Sequence, residues 1–217
     1  MEYFKMDGVD VVVRRVERLS GYSYRYRPID NKVYLNVPVR TAGALIVQYA
    51  QKVIRSGRED DRMNDLRDGG FIRLFGEKIP LRVQYSTFNA IEETDDGITL
   101  TIVSDVNYFV IKRITDFYEK KLREYLKTRL PLMENYVGIK CSGWKIENRL
   151  SVWGCCNTKT KELTFAVNLV TQSPELIDMT IIHELTHILY PDHGAKFHAF
   201  MEKYVPGHRE KKRRMKS

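Results

Sequence analysis

The stretch Ile181-Ile182-His183-Glu184-Leu185-Thr186-His187 decides how the second half of this sequence is interpreted. Residues four apart lie on the same face of a helix, so His183 and His187 can bind one metal ion from one side. Glu184 flanks that face, where a carboxylate reaches a metal-bound water without being a ligand. The spacing therefore predicts a zinc hydrolase that binds one Zn²⁺ per chain and uses Glu184 as its general base.

The other positions of this predicted helix are apolar, which strengthens the metal interpretation. They are Leu176, Ile177, Ile181, Ile182, Leu185, Ile188 and Leu189. Polar groups on such a helix would cost at least about 1–3 kcal/mol each if they were buried without partners, and a bound metal ion offsets that cost. All five histidines lie between positions 183 and 208. For His208 we expect an ordinary surface or hydrogen-bonded imidazole.

A third metal ligand has two histidine candidates. His193 follows Pro191, which cannot continue a helix, so the chain turns there and can bring an imidazole to the metal from a new direction. His198 would lie in a second helix, residues 195–204, and is expected to border the cleft. We therefore expect His193 to be the third ligand.

A strand predicted at residues 162–167 comes shortly before the metal-binding helix. We expect it to run along the cleft, where its backbone could pair with an extended peptide substrate. The candidate substrate-binding residues are Leu163, Phe165, Tyr190 and His198. The candidates for stabilising the developing oxyanion are His198, Tyr190 and Tyr204, and the sequence does not choose among them.

Strand-like patterns dominate the first hundred residues. Strands are predicted at residues 11–13, 22–27, 32–38, 71–75, 79–83 and 97–103. Two hairpins are expected, one through a turn at residues 28–31 and one through residues 76–78. One helix, which begins at Thr41 or Gly43 and continues to about Ile54, interrupts the strands.

The second half of the sequence is predicted to be more helical. A long amphipathic helix is expected at residues 107–130, with Pro131 as its stop, and a further strand at residues 143–150. Ser173 is a suitable N-cap for the metal-binding helix, and Pro174 suits its first position. The sequence thus predicts an α+β fold. Its parts are a mainly antiparallel β-rich region at residues 1–105 and a metallohydrolase domain at residues 106–217.

Composition limits the compartment and the partners. The chain has 217 residues, of which 43% are hydrophobic, enough to bury a core. No apolar run approaches the ~20 residues that span a bilayer, so we expect a cytoplasmic protein with no membrane partner. The three cysteines, Cys141, Cys155 and Cys156, suit thiols in a reducing compartment. The adjacent pair could compete for the metal, but one pair without a second is a weak zinc pattern.

The net charge of +8 is unevenly placed. The last nine residues carry six cations and one carboxylate, or +5 of the +8. The run at residues 209–216 could be a tail that binds nucleic acid, or the solvated end of a terminal helix. No aromatic residue interleaves with these charges, which favours the second interpretation.

Several further motifs stand beside the metal-binding stretch. They are Trp153-Gly154-Cys155-Cys156-Asn157, His193-Gly194-x-x-Phe197, Tyr204-Val205-Pro206 with a basic end, and, more loosely, Val37-Pro38-Val39-Arg40 and residues 75–81. Together with the metal-binding stretch, they resemble the motifs of the YgjP-like family of metal-dependent hydrolases. The similarity covers nearly the whole chain. The sequence also resembles the SprT-like and WLM metalloproteases, which have a further histidine and an aromatic residue after H-E-x-x-H.

The resemblance implies a zincin-like C-terminal domain. It also implies that His183, His187 and His193 are the zinc ligands and that Glu184 is the catalytic carboxylate. Four departures from the family pattern concern the substrate more than the metal. Cys155 stands where a serine is usual, and Val152 stands where a basic residue is common. Asp192-His193-Gly194 replaces Asn-His-Ser, and His198 stands where an aromatic residue is usual.

Alternatives to a peptidase stay open. The same metal-activated water could attack a phosphoanhydride, which would make the protein a nucleoside triphosphate pyrophosphatase and give its basic surplus a role. By analogy with the SprT-like and WLM groups, a protease could depend on nucleic acid bound at residues 209–216. A zinc ion that only staples helices is the non-enzymatic alternative, although a staple has no use for Glu184. The expected partners are therefore a peptide, protein or nucleotide substrate.

Overall fold

The computed structural model describes residues 1–27, 32–59, 64–104, 108–149 and 152–216. They form two compact units, one made of Met1–Arg73 with Ile79–Ile114 and the other of Leu74–Lys78 with Thr115–Ser217. Strands and helices occur in both units, so the predicted α+β class is confirmed. The division at residue 105 stays a prediction.

The first sheet of the first unit contains four strands in the order β1-β2-β4-β3. Their bounds are Glu2–Met6 for β1, Val9–Val16 for β2, Ser23–Arg27 for β3 and Lys32–Pro38 for β4. Alternate residues of β4 (Val33, Leu35 and Val37) are fully buried, as the period of two in a half-buried strand requires. They pack in one core with Ile46 and Val53 of helix α1, Gly43–Glu59.

The pairing in this sheet is mixed. The predicted hairpin between β3 and β4 is present as an antiparallel pair, and β1 pairs antiparallel with β2. In contrast, β2 and β4 run parallel. The predicted turn at residues 28–31 lies outside the described residues.

A second four-stranded sheet has the order β5-β6-β8-β7. Its strands are Phe71–Leu74 (β5), Glu77–Tyr85 (β6), Ala90–Thr94 (β7) and Gly97–Ile102 (β8). The tip of the β5–β6 hairpin, Leu74–Lys78, belongs to the second unit. The strand β7 was not predicted, and β6 pairs parallel with β8. The mainly antiparallel description therefore omits one parallel pair in each of these sheets.

Helix α2, Tyr108–Val137, is longer than predicted, because Pro131 does not end it. A proline inside a helix costs about 3 kcal/mol through its missing N–H and its clash with the preceding turn. The turns on both sides bury Leu130 and Val137, and this burial offsets that cost. The helix ends instead at Gly138, whose φ of +73° lies in the left-handed region that glycine adopts at helix ends.

The second unit contains a three-stranded sheet of order β10-β11-β9. The strands are Gly143–Glu147 (β9), Gly154–Asn157 (β10) and Glu162–Ala166 (β11). A 3-10 helix, Val167–Thr171, then leads to α3, Pro174–Thr186, which is followed by α4, Ala195–Tyr204, and α5, His208–Lys216. The bounds of α4 agree with the prediction, whereas β9 and β11 are shorter than predicted.

The start of α3 also agrees with the sequence signals, with one difference. Ser173 occupies the N-cap position and Pro174 the first turn, but the Ser173 hydroxyl makes no capping hydrogen bond. The helix is held to α2 by Asp178, which accepts hydrogen bonds from the Tyr125 hydroxyl at 3.0 Å and from the Arg129 guanidinium. Among the described helices, none is long and apolar enough to cross a membrane.

Candidate metal centre

Three imidazoles converge at the C-terminal end of α3. The ligand nitrogens of His183, His187 and His193 all lie within 4.8 Å of one another. The chain reverses after Pro191, where Oδ1 of Asp192 accepts a hydrogen bond from the Gly194 N–H at 3.0 Å. That turn brings His193 back, so that its Nε2 lies 3.1 Å from Nε2 of His183.

This donor set fits a zinc ion. Two nitrogens bound at 2.0–2.1 Å to a tetrahedral metal lie roughly 3.3 Å apart, close to the 3.1 Å between His183 and His193. The Nδ1 of His187 lies 3.1 Å from the Tyr190 carbonyl oxygen. It therefore carries the proton and donates, which leaves Nε2 of His187 for the metal.

Phe197 of α4 supports all three imidazoles from one side. The centroid of its buried ring lies 4.9 Å from that of His183 and 4.7 Å from those of His187 and His193. A rigid aromatic ring in contact with each imidazole restricts their rotation. The histidines are thus positioned before any metal binds.

The histidines are held neutral, the form in which an imidazole binds a metal. Burial, aided by the charge of Lys212, lowers the pKa of His183 to about 2. Burial also lowers the pKa values of His187 and His193. The three nitrogens are therefore available as ligands at neutral pH.

Glu184 lies beside this cluster and is only 5% exposed. Burial raises the pKa of its carboxyl to about 8, against the opposing effect of the Lys212 charge. Its carboxylate packs against Gly154 of β10, where a Cβ atom would lie 2.8 Å from Oε1. A carboxyl with a pKa near neutrality suits a group that must both accept and deliver a proton.

The predicted cleft strand is corrected. β11 lies between β10 and β9 and pairs with both, so its backbone has no edge for an extended peptide. Leu163 and Phe165 of β11 are fully buried in the core. The strand that faces α3 is β10, which the sequence did not predict as a strand, and Gly154 is its point of contact with Glu184.

The other predicted site residues have different surroundings. The Tyr190 ring packs on Phe200, and its carbonyl orients His187. Tyr204 packs on Phe200 and Tyr136 and lines a separate cavity of about 290 Å³. His198 lies closer to the ligands, with its ring centroid 6.5 Å from that of His193.

The two adjacent cysteines lie on β10. Burial, together with the charge of Glu184, raises the pKa of Cys156 to about 11, so this thiol is neutral. Among the described residues, the cluster that could hold a metal contains three histidines and no cysteine. The geometry thus does not support Cys155 and Cys156 as competing metal ligands.

Helix α5 packs on α3, although its sequence indicated only charge. Met215 is buried, with its sulfur 3.7 Å from the Thr180 hydroxyl, and Lys211 pairs with Glu175 at 3.0 Å.

Two residues of α5, Lys212 and His208, lie near the site. Lys212 acts electrostatically on the histidines. His208, four residues earlier, is 3% exposed and lies beside His198. The i, i+4, i+7 spacing of 208, 212 and 215 could have indicated one packed face.

Three convergent imidazoles beside a buried carboxylate define the site of a metallohydrolase. The sequence pattern of the YgjP-like metallopeptidase domain matches residues 28–217, and the chain belongs to this family. It is accordingly a hydrolase of the metallopeptidase class, and the family implies a metal ion.

Among solved structures, the metallopeptidase zymogen of Pyrococcus abyssi abylysin is similar to part of the chain. The similarity covers 42% of this chain and 90% of that one, with 20% sequence identity and a TM-score of 0.39. Comparison with curated proteins gives no match.

Proposed function

We propose that the protein is a zinc-dependent peptidase in which His183, His187 and His193 bind one Zn²⁺ and Glu184 is the general base. The observation that carries this proposal is the placement of a buried carboxylate beside three neutral imidazoles whose nitrogens converge. A purely structural zinc site would saturate its coordination with protein ligands. Three ligands leave a fourth position open for chemistry.

When bound, zinc lowers the pKa of a coordinated water toward neutrality and polarises the scissile carbonyl. Glu184 accepts the proton of the attacking water and delivers it to the leaving nitrogen. Burial favours the first of these steps, because a carboxyl pKa of about 8 makes the carboxylate a stronger base than that of an exposed glutamate. Gly154 keeps this carboxylate in place, because any side chain there would displace it.

The peptide is expected to lie along β10. Within the described residues, β10 pairs on one side only, with β11, and it contacts α3. Its second edge can therefore accept main-chain hydrogen bonds from an extended peptide beside the metal ligands. This assigns to β10 the role that the sequence pattern favoured for β11.

A nucleoside triphosphate is the second candidate substrate, favoured by Lys212. Burial is the largest cause of the lowered pKa values of His183, His187, His193 and His198, but the charge of Lys212 also contributes to each, so positive potential reaches the site from α5. A phosphoanhydride would gain from that charge. If nucleotides are the substrates, Lys212→Met will raise their KM; a peptide substrate without a carboxylate near the scissile bond will be little affected.

Glu184→Gln tests the assignment. The variant should bind one zinc per chain and lose about 10²–10⁴-fold in hydrolysis of the true substrate, since general base catalysis contributes that much. Wild type and variant are assayed in parallel on unfolded casein, nucleoside triphosphates and DNA-bound protein. Glu175→Gln is the matched control, because Glu175 lies on the same helix but pairs with Lys211.

The outcomes separate the candidates. If Glu184→Gln loses the casein cleavage of the wild type, the protein is a peptidase. If the only activity that it loses is triphosphate hydrolysis, the protein is a pyrophosphatase. A Glu184→Gln protein with one zinc and full activity overturns the general-base assignment. If the protein unfolds when zinc is removed by a chelator and hydrolyses no substrate when zinc is bound, the site is a structural zinc site.

Dependence on nucleic acid is a further proposal for the run at residues 209–216. Three of its cations (Arg209, Arg213 and Arg214) are exposed on α5. If DNA stimulates cleavage, replacing these three by alanine should abolish the stimulation and reduce its salt dependence. Truncation is the poorer test, because Met215 belongs to the buried face of α5. The cytoplasmic location likewise stays a prediction.

A further inference from the structure

Three side chains outside the metal cluster form a connected network, which we call the His198 network: His198, His208 and Glu202. Nδ1 of His208 lies 3.0 Å from Oε2 of Glu202, and Nε2 of His208 lies 3.1 Å from Nδ1 of His198. The two rings stack at 5.3 Å between centroids. His208 is 3% exposed, so both of its nitrogens are used inside the protein.

The network is fixed at its outer end by backbone. The second oxygen of Glu202, Oε1, accepts a hydrogen bond from the Gly207 N–H at 3.0 Å. Gly207 and His208 together hold the pKa of Glu202 below its ordinary range. Glu202 is thus a carboxylate, which only accepts hydrogen bonds.

The direction of each hydrogen bond follows from that acceptor. If His208 carries a single ring proton, the carboxylate of Glu202 places that proton on Nδ1. Nε2 of His208 is then an acceptor, so His198 must donate from Nδ1. The remaining nitrogen of His198, Nε2, keeps an unshared electron pair. It has no partner within the described part of the chain.

We propose that Glu202 and His208 are positioning residues that hold His198 with its proton on Nδ1, so that Nε2 of His198 accepts a hydrogen bond from a backbone N–H of the substrate beside the metal ligands. The inference rests on the proposed hydrolytic function and deepens it by naming the substrate class. His198 is placed for this contact by α4, since its ring lies 6.5 Å from that of His193.

The network favours a peptide over a nucleotide. Peptide bonds present N–H donors to an imidazole lone pair, whereas the oxygens of a triphosphate are acceptors and would be repelled by it. An acceptor held in one tautomer favours a substrate that offers the matching donor.

The first test reads the tautomer directly and needs no substrate. Two-bond ¹H–¹⁵N spectra of the zinc-loaded full chain distinguish Nδ1–H from Nε2–H imidazoles, and His198→Ala assigns the signal. We expect the Nδ1–H form in the wild type and a shift toward Nε2–H in Glu202→Ala. Glu210→Ala is the matched control and should leave the signal unchanged, since Glu210 pairs with Arg213 and touches no histidine. His208→Phe gives the same shift if it folds.

The second test reads the substrate contact. His198→Ala should raise the KM of a peptide about fivefold with kcat unchanged, since a hydrogen bond made equally in ground and transition states contributes binding alone. Glu202→Ala should raise KM in the same direction by a smaller factor. In a scan of N-methylated peptides, methylation at one position should raise KM in the wild type but not in His198→Ala.

Each outcome decides a separate statement. An Nε2–H signal for His198 in the wild type overturns the network, whatever the activity. If His198 shows the expected tautomer but no N-methyl position changes KM differently in the wild type and in His198→Ala, the substrate contact is overturned. If neither the wild type nor any variant cleaves a peptide, the proposed peptidase function fails, and the peptide assignment fails with it. The tautomer of His198 still tests the positioning role of Glu202 and His208 in that case.

Discussion

A Cβ atom on Gly154 would lie 2.8 Å from Oε1 of Glu184, closer than non-bonded atoms pack. The approach joins the first residue of β10 to the candidate base on α3. The carboxylate is buried, so it has little space to move away. The absence of a side chain at position 154 is therefore a requirement of the site rather than of the strand.

Gly154→Ala should displace the Glu184 carboxylate and lower kcat at least tenfold, while the protein still binds one zinc per chain. Overpacking costs about 1–3 kcal/mol in unfolding free energy. The measurements are hydrolysis, metal content and denaturant unfolding. Gly143→Ala on β9 is the control, because a Cβ there meets no atom within 4 Å. Equal activity of the two variants would show that Glu184 is free to adjust.

His193→Ala should lower the affinity for zinc far more than His198→Ala. The nitrogen of His193 belongs to the convergent cluster, whereas the Nδ1 of His198 is bound to His208. Mutating a residue that only hydrogen-bonds a metal ligand weakens metal binding by about 10–100-fold. Losing one of the three ligands themselves should weaken zinc binding by at least that much. Competition with a chromophoric chelator measures both variants. A larger loss in His198→Ala would reverse the assignment of the third ligand.

Asp178→Ala should destabilise the protein by about 1–3 kcal/mol, because it removes the acceptor shared by Tyr125 and Arg129. The lower half of that range is expected, since the Arg129 side chain is 37% exposed and its charge is partly screened. Urea unfolding measures the change. Glu119→Ala is the control: its pair with Arg123 is exposed on both sides and should contribute only about 0.3–0.5 kcal/mol.

Cys141 should react slowly with iodoacetamide at mildly alkaline pH. Burial and the neighbouring Glu134 carboxylate raise the pKa of this thiol to about 12. Because the folded pKa is raised, the stability that the neutral thiol contributes is present below the unfolded pKa and is lost as the pH rises toward about 12. Peptide mapping after timed alkylation resolves the site. Glu134→Gln should speed the reaction at Cys141, and an unchanged rate would show that the Glu134 carboxylate does not suppress the thiolate.

Local signals predicted the elements nearest the metal. Pro174 at the first turn of α3, the reversal after Pro191 and the bounds of α4 all follow from residues within one or two turns of each other. The four-residue spacing of His183 and His187 likewise fixes their shared face. The family followed from the combination of such motifs, and the match over residues 28–217 confirms it.

Predictions failed where distant packing competes with a local signal. Pro131 is a helix breaker by propensity, yet buried residues on both sides carry α2 through it to Gly138. The strand β11 was predicted to pair with a peptide along the cleft. Its apolar content is that of any buried strand, so the sequence could not show that β10 pairs with its edge. The basic run at residues 209–216 was expected to be the solvated end of a terminal helix; it is helical, but the charges around Met215 gave no sign that this residue is buried.

The sequence by itself determined the chemistry of the centre: two histidines four apart, a carboxylate beside them and a third histidine after a proline, since each relation is set by the geometry of one helix and one turn. Only the tertiary structure decided what surrounds them. Gly154 against Glu184, Phe197 beneath three imidazoles and His208 against His198 join residues on different elements. Such contacts depend on how helices and strands pack, which no periodicity along the chain encodes.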